Sequence, residues 1–287
     1  MIIFSKYNPD SIKYLEIFEN YYVAYNEWMV LNELEQHLEI CKFINNRRNN
    51  IYLTGQSSCA IREISRLDKY DIRPHSVTTT KKGSDFICWR MRKTMPNTEL
   101  IDGIQVVNCL DTIVDLAKYD TTESLLVSIN DCLNKRYFTI QEFLNYLDVL
   151  TDRHHKKTLL RLMKIASDKC ESPLETIAWI AIYKAGFILP EQQVKIVDKA
   201  NKGIFYSRVD MCWKIRRRTV ILELDGKIKY SDKSILFAEK KREDQIRAMG
   251  YVVIRATWKD VVEGRFVKLL DSIKIPKRRY RNQTIFK

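Results

Sequence analysis

Several absences bound this 287-residue chain before any motif is read. No apolar run approaches the roughly 20 residues of a membrane span, and the opening "MIIFSKYNPD" is too short for a secretory signal. The seven cysteines (41, 59, 88, 109, 132, 170 and 212) are scattered, odd in number, and without a C-x-x-C pair or a nearby histidine pairing. That pattern argues against a zinc site and a disulfide framework, and predicts free thiols in a reducing cytoplasm. There is no internal repeat and no low-complexity tract. Residues 11–45 lack both proline and glycine, which together with their Leu, Ile, Tyr and Glu content predicts one or two helices.

What is present is enough apolar material, 45%, against 30% charged residues, to bury real cores. The length predicts two or three domains. The formal charge of +13 is unevenly spread. Residues 171–287 carry 26 Lys+Arg against 14 Asp+Glu, a net of +12, and residues 1–170 carry 23 against 22. A basic half beside a near-neutral one points to a polyanionic partner, nucleic acid before others; solubility charge alone is the plain alternative. The cations do not line an amphipathic helix, which argues against a membrane surface.

Three regions are expected. Residues 1–48 form an N-terminal helical segment ending at "NNRRNN" (45–50). Residues 49–168 form a small α/β domain. Its short strands are "IYLTG", "SVTTT", "DFICWRM" and "IQVVN", with "SSCAIREISRL" helical between the first two, and its helical end includes a capping box, Thr139-x-x-Glu142. Residues 169–287, after the break at "SDKCESP", read helix, strand, strand, strand, helix, strand, then a helix over 258–272 and a basic tail. That order predicts a mixed sheet with helices against it.

The stretch "VILELDGKIKYSD" (220–232) carries the chemistry. On a strand Glu223 and Asp225 share one face while Leu222 and Leu224 share the other. "RVDMCW" (208–213) and "TVILELDG" are joined by "KIRRR", a spacing that suits an antiparallel hairpin. If the faces meet, Asp210, Glu223 and Asp225 converge, and a divalent cation relieves their repulsion. Oxygen ligands with few histidines nearby favour Mg²⁺ or Mn²⁺. Such an ion in a basic domain suits phosphodiester hydrolysis. Each acid also has a bland reading: Asp210 in an ion pair with Arg208 or Lys214, Glu223 and Asp225 on a solvated edge. "EKKRED" (239–244) reads by default as an ordinary charged helix face.

Residues 172–258 resemble the PD-(D/E)XK nuclease superfamily, in its branch similar to very-short-patch-repair endonucleases. The resemblance rests on "SPLE" opening a helix, "RVDMCW", "ELDGKIKY", "EKKRED" and "GYVVIRATW". It implies Asp210 as the motif aspartate, Glu223 as the second acid, and a role for Glu175 at the metal. Ser172-Pro173-Leu174-Glu175 is also a capping box with proline at N1, so Glu175 equally suits a helix start. Where the superfamily pattern has lysine two residues after the acid, this chain has Asp225. The missing cation is then Lys227, Lys229, Lys240 or Lys241, and the resemblance favours Lys229. Residues 51–150, through "YLTGQSSCAI" and "IQVVNCLDTIVDLA", more faintly resemble AbiEi-type antitoxins of bacterial type IV toxin–antitoxin systems.

The resulting expectation is a Mg²⁺- or Mn²⁺-dependent endonuclease acting on nucleic acid, DNA before RNA, in phage defence or a toxin–antitoxin-like module. Its catalytic set is Glu175, Asp210, Glu223, Asp225 and Lys229; its metal ligands are Asp210, Glu223 and Asp225. Nucleic-acid contacts are assigned to Arg216, Arg217, Arg218, Lys227, Lys241, Arg278 and Arg279, with residues 1–168 open to a protein partner. The alternative is a non-catalytic DNA-binding regulator, antitoxin-like, that retains a degenerate nuclease fold.

Overall fold

The structure is a computed structural model that describes residues 13–18, 20–82, 86–150, 153–198, 204–216, 218–226, 233–278 and 286. The chain divides into two compact units, Met1–Ala166 and Ser167–Lys287.

The first unit opens with strands where helices were expected. Strands β1 (Tyr14–Phe18) and β2 (Tyr21–Ala24) pair antiparallel, turned through Asn20 at a φ of +63°. Asparagine tolerates that left-handed conformation, and a stretch rich in Tyr, Ile and Phe favours a pleated, half-buried surface. Helix begins only at α1 (Tyr25–Met29) and α2 (Glu33–Arg47). The second starts on a reciprocal cap: the Asn32 side chain accepts from the Glu35 N–H at 3.0 Å and the Glu35 carboxylate from the Asn32 N–H at 2.8 Å.

Then follow α3 (Gly55–Ile61), β3 (His75–Thr78), β4 (Cys88–Met91), β5 (Thr98–Ile101) and β6 (Ile104–Val107). The strand expected over 51–55 is reduced to Leu53, which bridges Ser76 and Val106. Helices α4 (Cys109–Leu116), α5 (Thr122–Asn134), α6 (Ile140–Val149) and α7 (Arg153–Met163) close the unit, α6 on the anticipated Thr139–Glu142 capping box. One core joins Val23, Trp28 and Ile40 to Leu53, Ile104 and Val106, so residues before position 48 pack as part of this unit and not as a separate segment.

The second unit runs α8 (Pro173–Lys184), β7 (Glu191–Asp198), β8 (Ile204–Ile215), β9 (Arg218–Asp225), α9 (Lys233–Ala248), β10 (Val252–Thr257), α10 (Trp258–Val262) and α11 (Arg265–Ser272). Its sheet has the order β10-β9-β8-β7; β10 is parallel to β9 and the other neighbours are antiparallel. The single helix expected over 258–272 is two, separated by Gly264 at a φ of +69°, a conformation that glycine adopts without strain.

Period-two patterning sorts the sheet's faces. Met211, Trp213, Val220, Leu222, Ile254 and Ala256 pack with α8, α10 and α11. Cys212, Ile221 and Val253 pack with Ile246 of α9 on the opposite face. The register pairs Cys212 with Ile221 and Ile221 with Val253. Two residues further along β9 and β10 the same α9-facing rows reach Glu223 and Arg255, whereas on β8 the alternation shifts and Val209, next to Asp210, packs with Ile246. Glu223 therefore stands at the end of a strip that is apolar up to its position.

Trp213 anchors the other face, fully enclosed and with its indole N–H donating to the Ile188 carbonyl at 2.9 Å. Trp213→Ala should cost this unit about 3–5 kcal/mol. Native-state hydrogen exchange of the β8–β10 amides reads that loss, and unchanged protection would contradict this packing.

Candidate active site

The β8–β9 ladder runs from Ile215↔Arg218 to Met211↔Leu222. The recorded pairing stops there, one residue short of Asp210 on β8 and of Glu223 on β9. Beyond the ladder the Leu224 N–H donates to the Asp210 side chain, Oδ2, at 2.8 Å. On β9 the sequence builds this junction by following the apolar Ile221 with Glu223 at the same parity.

Glu175 approaches from the first turn of α8. Its carboxylate accepts from the Ser172 hydroxyl at 2.9 Å, the Glu171 N–H at 3.0 Å and the Gln193 amide at 2.9 Å. The anticipated cap is thus altered: Ser172 accepts from the Glu175 N–H at 3.2 Å, but the return bond comes from the backbone of Glu171.

Three carboxyls lie above their ordinary range. Burial raises Glu175 despite its three donors, and the charge of Asp210 adds to the rise. Burial also raises Asp210, opposed by the Leu224 N–H and by Arg242. Glu223, 8% exposed, is pushed up to about 7, first by burial and then by Asp210, against the pull of Arg242 and Arg255. Asp210 is the charge that both glutamates feel. Crowded carboxyls out of water bind protons, or a cation, more tightly than they would in solvent.

Asp225 is the correction. Arg255 takes it in a two-pronged ion pair, although the Asp225 charge still adds to the rise of both Asp210 and Glu223. Arg255 lies directly across from Glu223 on β10 and also reaches Glu243 at 3.2 Å. Arg242 from α9 donates to Glu223 at 3.2 Å and to the Ser207 hydroxyl at 2.8 Å.

The expected metal set of Asp210, Glu223 and Asp225 therefore does not assemble. Among the described residues no group of three or more His, Cys, Asp or Glu side chains is placed to hold a metal ion. A smaller set does fit the donor chemistry of Mg²⁺ or Mn²⁺. Asp210 Oδ1 and Glu223 Oε2 accept no hydrogen bond from the described residues, and Mg²⁺ is commonly held by one or two carboxylates plus substrate phosphate.

The nucleic-acid contacts also divide. Arg216 is exposed in the β8–β9 turn, at a φ of +44°, and Lys241 is exposed on α9. Arg218 is instead committed to the carbonyls of Ile273 and Lys274, at the end of α11. Arg278 donates to the Tyr183 carbonyl at 2.5 Å, and its guanidinium lies 3.9 Å from the Tyr183 ring centroid. Both arginines serve the fold, since the last carbonyls of a helix need donors. Arg217, Lys227, Lys229 and Arg279 lie outside the described residues.

Arg242 and Arg255 were not singled out from the sequence. A signal for Arg255 was there, a charge in the middle of "YVVIRAT" with the parity that had flagged Glu223. Arg242 was hidden inside an ordinary charged helix. Comparison with known proteins finds no matching family model, no matching curated protein and no matching solved structure.

The raised carboxyl has a sign. Because folding favours protonated Glu223, its contribution to stability is full below about pH 4.5 and is lost as pH rises to about 7. The loss amounts to about 3 kcal/mol at most. Denaturation midpoints from pH 4 to 8 should show this fall, Glu223→Gln should flatten it, and millimolar Mg²⁺ should oppose it at pH 8. Identical pH profiles for the two proteins would refute the assignment.

Proposed function

We propose that the Ser167–Lys287 unit is a metal-dependent nucleic-acid phosphodiesterase of the PD-(D/E)XK type, with DNA as substrate. The observation that carries the reading is the two carboxyls at the end of the β8–β9 ladder, Glu223 buried and Asp210 half-buried, both held above their ordinary pKa range in a unit of strongly basic sequence. The α-β-β-β-α-β order, with a parallel strand added beside β9, supports it.

In this reading Asp210 and Glu223 hold a single Mg²⁺ or Mn²⁺. Held there, such an ion would supply polarisation of a phosphate and a lowered pKa for bound water. Glu175, held by Ser172, Glu171 and Gln193, is oriented by three bonds and serves as the proton acceptor for water or as an outer ligand. Arg242 fixes the rotamer of Glu223, and Asp225 with Arg255 braces the neighbouring strand. Lys229 remains the proposed cation for transition-state charge. Arg216 and Lys241 contact phosphates, and residues 1–166 supply target choice or a protein surface. A role in defence, or in a toxin–antitoxin-like module, belongs to the same proposal.

A second reading has its own observation. Arg255 neutralises Asp225 and Arg242 contacts Glu223, an arrangement that suits a binder whose acids are structural. A regulator that grips DNA without cutting it follows from that arrangement.

Supercoiled plasmid with Mg²⁺ or Mn²⁺ separates the two. The nuclease reading predicts nicking that falls about a hundredfold or more in Asp210→Ala and in Glu223→Ala. Gel shift without nicking under every metal supports the binder. Arg216→Ala should lower the slope of log affinity against log salt by about 1; an unchanged slope would remove Arg216 from the interface.

A further inference from the structure

We propose that Cys109 is a hydroperoxide-reactive thiol in a cleft of the Met1–Ala166 unit, and that Cys132 resolves its oxidised form to a disulfide. The cleft encloses about 910 Å³, and Cys109 lines it beside Arg92, Met95, Asn108, Tyr137 and Tyr146. Cys132 is fully buried on α5, with its sulfur 3.4 Å from that of Cys109. No other cysteine pair among the described residues has its sulfurs in recorded contact. A disulfide at about 2.05 Å therefore asks for roughly 1.4 Å of approach, within reach of side-chain rotation.

Position distinguishes the two thiols. Cys109 is the first residue of α4, directly after the Asn108 cap, whose side chain accepts the Asp111 N–H at 2.9 Å. The nearby Asp111 carboxylate is offset by Arg92 at 2.9 Å and accepts hydrogen bonds from Tyr146 and Asn108, both at 2.7 Å. Cys132 lies behind Cys109 and does not line the cleft, and burial raises its pKa well above the ordinary value, so it waits as a protonated thiol.

The chemistry balances without any group the protein lacks, given the hydroperoxide as oxidant. The Cys109 thiolate attacks the near peroxide oxygen, the O–O bond breaks, and the departing oxygen leaves as water or an alcohol after taking a proton. Cys109 is then a sulfenic acid, oxidised by two electrons. Cys132 sulfur attacks the Cys109 sulfur, an S–S bond forms, and the sulfenic oxygen leaves as water with the Cys132 proton. Cys109 as a residue is only 6% exposed, an opening that suits a small peroxide and not a bulky disulfide reagent. The resting state keeps all seven cysteines free.

The test treats the full, reduced chain with stoichiometric hydrogen peroxide under native conditions. Intact mass should fall by two hydrogens, titratable thiols should drop from seven to five, and peptide mapping should link residues 109 and 132. In Cys132→Ser a sulfenic-acid trap should label Cys109, and in Cys109→Ser no 109–132 link forms. A link from Cys109 to Cys59, labelling concentrated on Cys88, or no mass change in the wild-type chain would each overturn the proposal. The wild-type mass and map decide it even if a variant fails to fold.

Discussion

Two carboxyls stand where β8 and β9 stop pairing, and the arrangement of the second unit follows from accommodating them. Burial raises both Asp210 and Glu223, and the Asp210 charge adds to the rise of Glu223. The structure meets the constraint with unequal means: a backbone N–H for Asp210, a partly exposed arginine for Glu223, and a residual upward pKa shift in both. A site that is still under-compensated after its own partners are counted is one with differential affinity for a proton or a hard cation.

The neighbouring Asp225 shows how the same residue type is handled when an arginine pairs with it directly. Arg255 grips it with two bonds and also reaches toward Glu243, tying β9, β10 and α9 together. Parity alone puts Glu223 and Asp225 on one face, but the arginine across the parallel pair decides which acid stays chemically available. Ion pairs of this sort add little net stability when they replace solvent, yet removing one partner leaves the other stranded. Here the pair's effect is selection among carboxylates.

Much of this was legible in the residues. The alternation of "TVILELDG" fixed the strand and the facing of its acids, and the step to net +12 after residue 170 accompanied a change of architecture. The capping boxes at Thr139 and the altered one at Ser172 were visible as spacing. What was hidden depended on partners distant in sequence. Arg278 looks like a nucleic-acid contact until the Tyr183 carbonyl and ring occupy it, and Arg218 looks like a hairpin-tip cation until α11 ends against it. The N-terminal hairpin was misread because absence of Pro and Gly suits helix and strand alike; Asn20 in a left-handed turn decided between them.

The central claim is that Asp210 and Glu223 together bind one divalent cation. Calorimetric titration of Mn²⁺ into the full chain at neutral pH tests it most directly. The account predicts a single saturable site per chain that is abolished in Asp210→Asn and in Glu223→Gln. Absence of saturable binding in the wild-type protein, or equal binding in both variants, would contradict it.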